Sequence, residues 1–205
     1  MLRQALGRER RKRRFGPFGS VPRTFVYKAV WELKNASFRP GAIHFTHDVP
    51  HDLAAPSHLK VIFLYGRPSD TILSLIRRHY ELGPEWMDRH FAHMHARGPY
   101  SEIIQRDVLR IGEQIEAWSS VRNANVLGLR YAMLWDNVDR LSEFAGFPVI
   151  LPERRERNFL DINPALVAMV RENYRELDRL EAQLPDYFFT QPARNGRSDP
   201  APCLA

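Results

Sequence analysis

A chain of 205 residues with 44% hydrophobic and 26% charged residues has the make-up of one globular domain with a full core, which excludes a wholly disordered chain. No stretch approaches the roughly 18 successive apolar residues of a membrane span, and no apolar segment of signal-peptide length follows the basic start, so a cytoplasmic location is expected. The net charge of +6 suits a polyanionic partner such as a nucleotide.

Much of that charge lies in residues 1–14, a basic segment holding Arg8, Arg10, Arg11, Lys12, Arg13 and Arg14. The run reads as solvated. Nucleic-acid contact is disfavoured, because no aromatic side chains interleave with it as a stacking surface. Residues 15–190 then read as a single α/β domain. A first strand at 15–20, weakened by Gly16 and Pro17, leads to a helix over 24–33. The second strand is 42–46. The third, 61–65, is a continuous apolar run, as expected of a strand buried on both faces of a parallel sheet. A helix over 70–80 places Leu73, Ile76 and Tyr80 on one stripe, with Asp70 as its N-cap. Another over 101–118 carries Ile104, Val108, Ile111, Ile115 and Trp118 at spacings of three and four. The fourth strand is 126–130, and a helix over 136–145 stops at Gly146. Asn163-Pro164 opens a last helix, with Leu166, Val170, Leu177, Leu180 and Leu184 facing one way. Residues 191–205 are a Pro-rich polar tail. It holds Cys203, the one cysteine of the chain, so no internal disulfide forms.

Strand alternating with helix predicts a doubly wound, mostly parallel central sheet flanked by helices, an arrangement that binds ligands beyond the carboxyl ends of its strands. The first such turn is Gly19-Ser20-Val21-Pro22-Arg23-Thr24. A tight turn running into a helix offers free N–H groups to an anion, and Arg23 and Thr24 add a guanidinium and a hydroxyl. It is not a Walker A loop, since Gly-Lys-Ser/Thr is absent. The second turn holds His44, His47 and His51, whose spacing fits neither a strand face nor a zinc signature, so no metal is expected. A single histidine at a strand end can instead serve as a general base. The third is Gly66-Arg67-Pro68-Ser69-Asp70, with Ser74 one turn into the helix, where Arg67 and Ser74 are candidate partners for a phosphate. Arg77 and Arg78 read as surface residues.

Taken together, these turns resemble the PAPS-dependent sulfotransferases, a family with a P-loop-type fold. Ser20-Val21-Pro22-Arg23-Thr24 is similar to its 5′-phosphosulfate loop, and Phe45-Thr46-His47 to its Lys-Thr-His. Residues 60–70 followed by Ser74 are similar to its 3′-phosphate segment, and Leu129-Arg130-Tyr131 to its Leu-Arg-Tyr. The resemblance implies PAPS as sulfate donor, leaving as PAP, with no metal required. It implies His47 as the base and Arg23 as the group neutralising charge on the leaving phosphate. Ser20, Arg23 and Thr24 would hold the phosphosulfate, and Arg67, Ser74, Arg154 and Arg155 the 3′-phosphate. The acceptor would be a small molecule or glycan bearing a hydroxyl or amine. The chain departs from the family at Phe25, which stands where a loop glycine is wanted, and at Phe45, Gly66 and Ala132. A relative that binds nucleotide or a partner without catalysis is therefore the alternative.

Overall fold

The computed structural model describes residues 26–39, 41–50, 59–122, 124–154 and 158–190. The chain is mixed α/β, with six α-helices and five strands among those residues. β1 (Val26–Ala29) pairs in parallel with β2 (Ala42–Phe45). A second sheet has the order β3-β4-β5, from β3 (Lys60–Tyr65), β4 (Asn125–Arg130) and β5 (Tyr187–Thr190). β3 and β4 are parallel, whereas β5 runs antiparallel to β4.

The first correction concerns the helix expected over 24–33. β1 lies there instead, followed by a single 3₁₀ turn at Leu33–Asn35. Phe25, Val26 and Tyr27 are residue types that favour extended backbone, and the parallel partner β2 supplies the hydrogen bonds a helix would have made internally. The expected strand at 15–20 lies outside the described residues. β5, an apolar Tyr-Phe-Phe-Thr run, was absent from the sequence reading.

The six helices are α1 (Pro68–Leu82), α2 (Pro84–His93), α3 (Ile111–Ser120), α4 (Val138–Ala145), α5 (Pro164–Asn173) and α6 (Arg175–Gln183). α1 begins with Pro68 at its first position, where the missing N–H costs nothing, so Asp70 sits inside the first turn and is not the cap. α2 was unforeseen. The helix expected over 101–118 is broken: Arg110 has φ 61°, and the Asp107 carboxylate accepts from the N–H groups of Ile111 and Gly112 at 3.0 and 2.9 Å. That carboxylate caps α3 and leaves Ile103, Val108 and Leu109, all fully buried, in turns ahead of it. The last helix divides at Tyr174, whose hydroxyl donates to the carbonyls of Ile103 and Arg106. Gly146 ends α4 as expected, at φ 82° with its N–H on the Ser142 carbonyl.

The central strand is β4. Val126, Leu127 and Leu129 are fully buried, while Ile62 and Leu64 of the edge strand β3 keep 41% and 37% exposure. Burial on both faces, expected of β3, thus belongs to β4, because only the middle strand has a neighbour on each side. Two clusters sandwich it. On one face Val61, Phe63 and Val126 pack with Trp118 of α3 and with Val30, Leu33 and Phe38. On the other, Leu127 and Leu129 pack with Leu134, Leu141 and Phe144 around α4. Phe188 of β5 lies across Gly128, where any Cβ would collide with its ring. The largest cluster joins α1, α2, α5 and α6 through Ile72, Leu73, Ile76, Met87, Phe91, Val170 and Tyr174.

Candidate functional site

The turn from β3 into α1 is built around a carboxylate. Asp178 of α6 accepts from the Ser69 N–H at 2.9 Å and from the Ser69 hydroxyl at 2.6 Å. Arg67 Nε stands 3.9 Å from the same carboxylate, Arg171 donates to the Ser69 hydroxyl at 2.8 Å, and Arg171 also pairs with Asp70 at 2.6 Å. The first N–H groups of a helix have no internal partner and carry the positive end of the dipole, so a negative group is favoured there. Ser69 is fully buried, which makes these bonds worth more than the same contacts in water. The seat is therefore an anion seat, filled by the protein's own Asp178.

Beside it, at the carboxyl end of β4, Arg130 pairs with Glu181 and with Asp186 and donates to the Leu184 carbonyl at 2.6 Å. Burial raises the Glu181 carboxyl above its ordinary value, and the Arg130 charge opposes that rise. Tyr65 closes the end of β3: its hydroxyl donates to the Pro185 carbonyl, its ring faces the Arg130 guanidinium, and burial pushes its pKa to about 12. Arg154 lies in the segment after α4. It stands 3.9 Å from Asp136 and over the Trp135 ring, which belongs to the turn just beyond β4.

The third cluster lies past the end of β2. His47 is exposed, with its ring centroid 5.9 Å from that of His90 on α2. His90 stacks on Trp86 at 4.8 Å, and His93, one turn on, stacks on Trp31 at 3.8 Å. Desolvation and the neighbouring imidazoles hold His47 below the ordinary histidine value and bring His90 down to about 4. Both rings are then neutral at pH 7, the state in which an imidazole can take up a proton.

Of the residues singled out from the sequence, Ser20, Arg23, Thr24 and Arg155 lie outside the described residues. The helix whose N-terminus was to serve the first of these turns is replaced by β1, so that part of the expected anion site is corrected. Arg67 and Ser74 are on the same turn-and-helix unit, as expected. The Ser74 hydroxyl, however, donates to the Asp70 carbonyl at 2.7 Å, a bond within the helix. The contacts of His47 run to α2 and those of Arg67 to α6. Two shallow depressions, of about 640 and 390 Å³, flank α3 and β5, and none of the expected residues lines them. Among the described residues no group of three or more His, Cys, Asp or Glu side chains is placed to hold a metal ion, and no helix is long and apolar enough to cross a membrane.

Sequence reading missed Ser69, Arg171 and Asp178, and also His90 and His93. The Pro68-Ser69 start of a helix was a signal for the first, since a hydroxyl there reaches orphan N–H groups or their anion. Asp178 carries no local signal, being 109 residues from Ser69. Compared with family models, with curated proteins and with solved structures, the chain matches none.

Proposed function

We propose that this protein is a sulfotransferase that takes PAPS as donor and passes its sulfuryl group to a hydroxyl or amine of a small-molecule or glycan acceptor. One observation carries the reading: His47 and Arg67, described residues that resemble the family's motifs, follow the carboxyl ends of the parallel strands β2 and β3, where ligands of α/β sheets bind, and Arg154 stands over Trp135 in the turn beyond β4. In this reading the two parallel pairs belong to one doubly wound sheet of the P-loop type, and the protein works in the cytoplasm. The donor set fits a phosphorylated nucleotide. The Ser69 N–H and hydroxyl, with Arg67 and Arg171 beside them, already hold one carboxylate. Bound PAPS supplies an activated sulfuryl group on a phosphate.

His47, kept neutral by its surroundings, accepts the acceptor's proton as the acceptor oxygen or nitrogen forms its bond to sulfur. The sulfur–oxygen bond to the 5′-phosphate breaks in the same displacement, and its electron pair leaves with the phosphate. Arg67 holds the 3′-phosphate by charge, and Ser74 joins it by turning its hydroxyl out from the Asp70 carbonyl. Arg154 adds a cation from the β4 side. Positioning and fixed charge are sufficient for such a transfer. By resemblance, Arg23 neutralises the leaving phosphate and Arg155 joins the 3′-phosphate contacts.

A second reading is favoured by two contacts. Asp178 fills the α1 seat, and Ser74 is spent within its helix, which suits a nucleotide-binding or interaction protein without the chemistry. Sulfate transfer from labelled PAPS to a panel of hydroxyl and amine acceptors separates the two. The sulfotransferase reading expects transfer by the native chain and its loss in His47→Ala, with PAP binding unchanged. PAP binding without transfer to any acceptor favours the second reading.

A further inference from the structure

His47 stands exposed just past β2, in a segment without regular structure. A side chain so placed would sweep through space, yet the backbone around it is fixed at four points. The Asp48 N–H donates to the Thr46 hydroxyl at 2.9 Å, a bond from residue i+2 back to residue i that closes the chain around His47 itself. The Asp48 carboxylate accepts from the Val49 N–H with Oδ1 and from the Leu33 N–H with Oδ2, each at 2.9 Å. Leu33 is buried and opens the 3₁₀ turn after β1, so the second of these bonds ties the segment to the chain that leaves β1. Finally, the Asp48 carbonyl accepts from the indole N–H of Trp118 at 3.0 Å. Trp118 is a buried residue of α3, and its ring stacks on Phe63 of β3 with centroids 6.0 Å apart and 22° between the planes. The carboxylate next to His47 in the chain is thus engaged by main-chain amides.

We infer that Asp48 and Trp118 are positioning residues for His47: Asp48 moors the segment that carries the imidazole, through its carboxylate to the turn after β1 and through its carbonyl to the Trp118 indole. Moving the segment would leave a partly buried carboxylate and carbonyl without their donors, which costs more than the bonds themselves are worth. The same route joins the two sheets. His47 follows β2 of one, while Phe63 belongs to β3 of the other, the strand that leads to Arg67. The ring of Trp118 thus links the strand pair that ends in the base to the sheet that ends in the phosphate seat. Transfer chemistry makes such a link matter, because a misplacement of about 1 Å costs on the order of a hundredfold in rate. What His47 does there rests on the sulfotransferase reading; that its segment is held does not.

The test is Trp118→Phe in the full chain, which keeps a flat ring on Phe63 and removes the indole N–H. Where that variant does not fold, Asp48→Asn takes its place, since a carboxamide has one oxygen to offer the two amides. The first readout is the His47 ring signal in NMR spectra at constant pH, assigned by its loss in His47→Gln. In the native chain the neighbouring His90 ring displaces that signal from the position of an unstructured histidine, and in the variant it is expected to move toward that position. A His47 signal that is the same in the native chain and in a folded variant overturns the inference. The second readout is sulfate transfer from PAPS, where kcat is expected to fall about tenfold or more with PAP affinity unchanged. An unchanged kcat in an active protein overturns the inference, as does a loss of PAP affinity as large as the loss of kcat. A native chain that transfers sulfate to no acceptor counts against the sulfotransferase reading alone, and the His47 signal then decides this inference by itself.

Discussion

At the scale of single residues, Asp178 is the side chain whose role reaches furthest. It satisfies a buried hydroxyl and a buried N–H at the head of α1, and in doing so occupies the seat that the proposed function assigns to a phosphate. On that proposal the ligand anion displaces an internal one, and its affinity is reduced by what that contact is worth. Asp178→Ala is expected to lower stability to denaturant by about 1–2 kcal/mol, the usual loss for a helix cap with its hydrogen bonds. The same change is expected to tighten PAP binding by up to about tenfold, since each 1.4 kcal/mol is a factor of ten. Calorimetric titration of PAP into the two proteins checks this. Equal or weaker binding by the variant would show that Asp178 is a structural cap with no competitor. None of this was readable from residues 60–74 alone, because the competing carboxylate comes from a helix more than a hundred positions away.

At the scale of elements, the contact between the β1–β2 strand pair and α2 is set by rings: Trp31 on His93 and His47 against His90. His90 has a folded pKa of about 4 against an ordinary value of 6.5. The unfolded chain therefore binds the extra proton below pH 6.5, and the folded chain binds it only near pH 4. Stability is fully present above pH 6.5, falls as pH drops through that window, and levels off below it. At about 1.4 kcal/mol per unit the loss is on the order of 2 kcal/mol, since His90 keeps partial exposure. Denaturant unfolding at pH 7 and pH 5 reads it out. His90→Phe should unfold with a much smaller difference between the two, and an unchanged difference would place the titration elsewhere. α2 was invisible to apolar spacing because its buried residues are only Met87 and Phe91. The long helix expected over 101–118 failed for the converse reason. Its apolar spacing is present, but Asp107 takes the next amides and Arg110 turns the chain, so Val108 reaches the core from a turn while Ile115 and Trp118 reach it from α3.

At the scale of the whole molecule, three apolar clusters position the strand ends: one under α1, α2, α5 and α6, and one on each face of β4. The parallel pairing of β3 and β4 and the helices that follow them were legible, because continuous apolar runs and Gly or Pro punctuation are local signals. The edge position of β3, the antiparallel β5 and the strand at 26–29 were not, because pairing partners are chosen by distant segments. The candidate site divides in the same way. Arg67 and Ser74 are candidates that a local pattern suggests, whereas the imidazole cluster needed α2 folded back onto Trp31. The central claim is that groups at these strand ends bind one doubly phosphorylated adenosine. Its most direct test is thermal unfolding of the full chain with PAP and, separately, with ATP. At roughly 100 times its dissociation constant, PAP is expected to stabilise the protein by about 2.7 kcal/mol, with ATP at the same concentration giving clearly less. Unfolding that PAP leaves unmoved, or that ATP shifts more than PAP does, would contradict the claim.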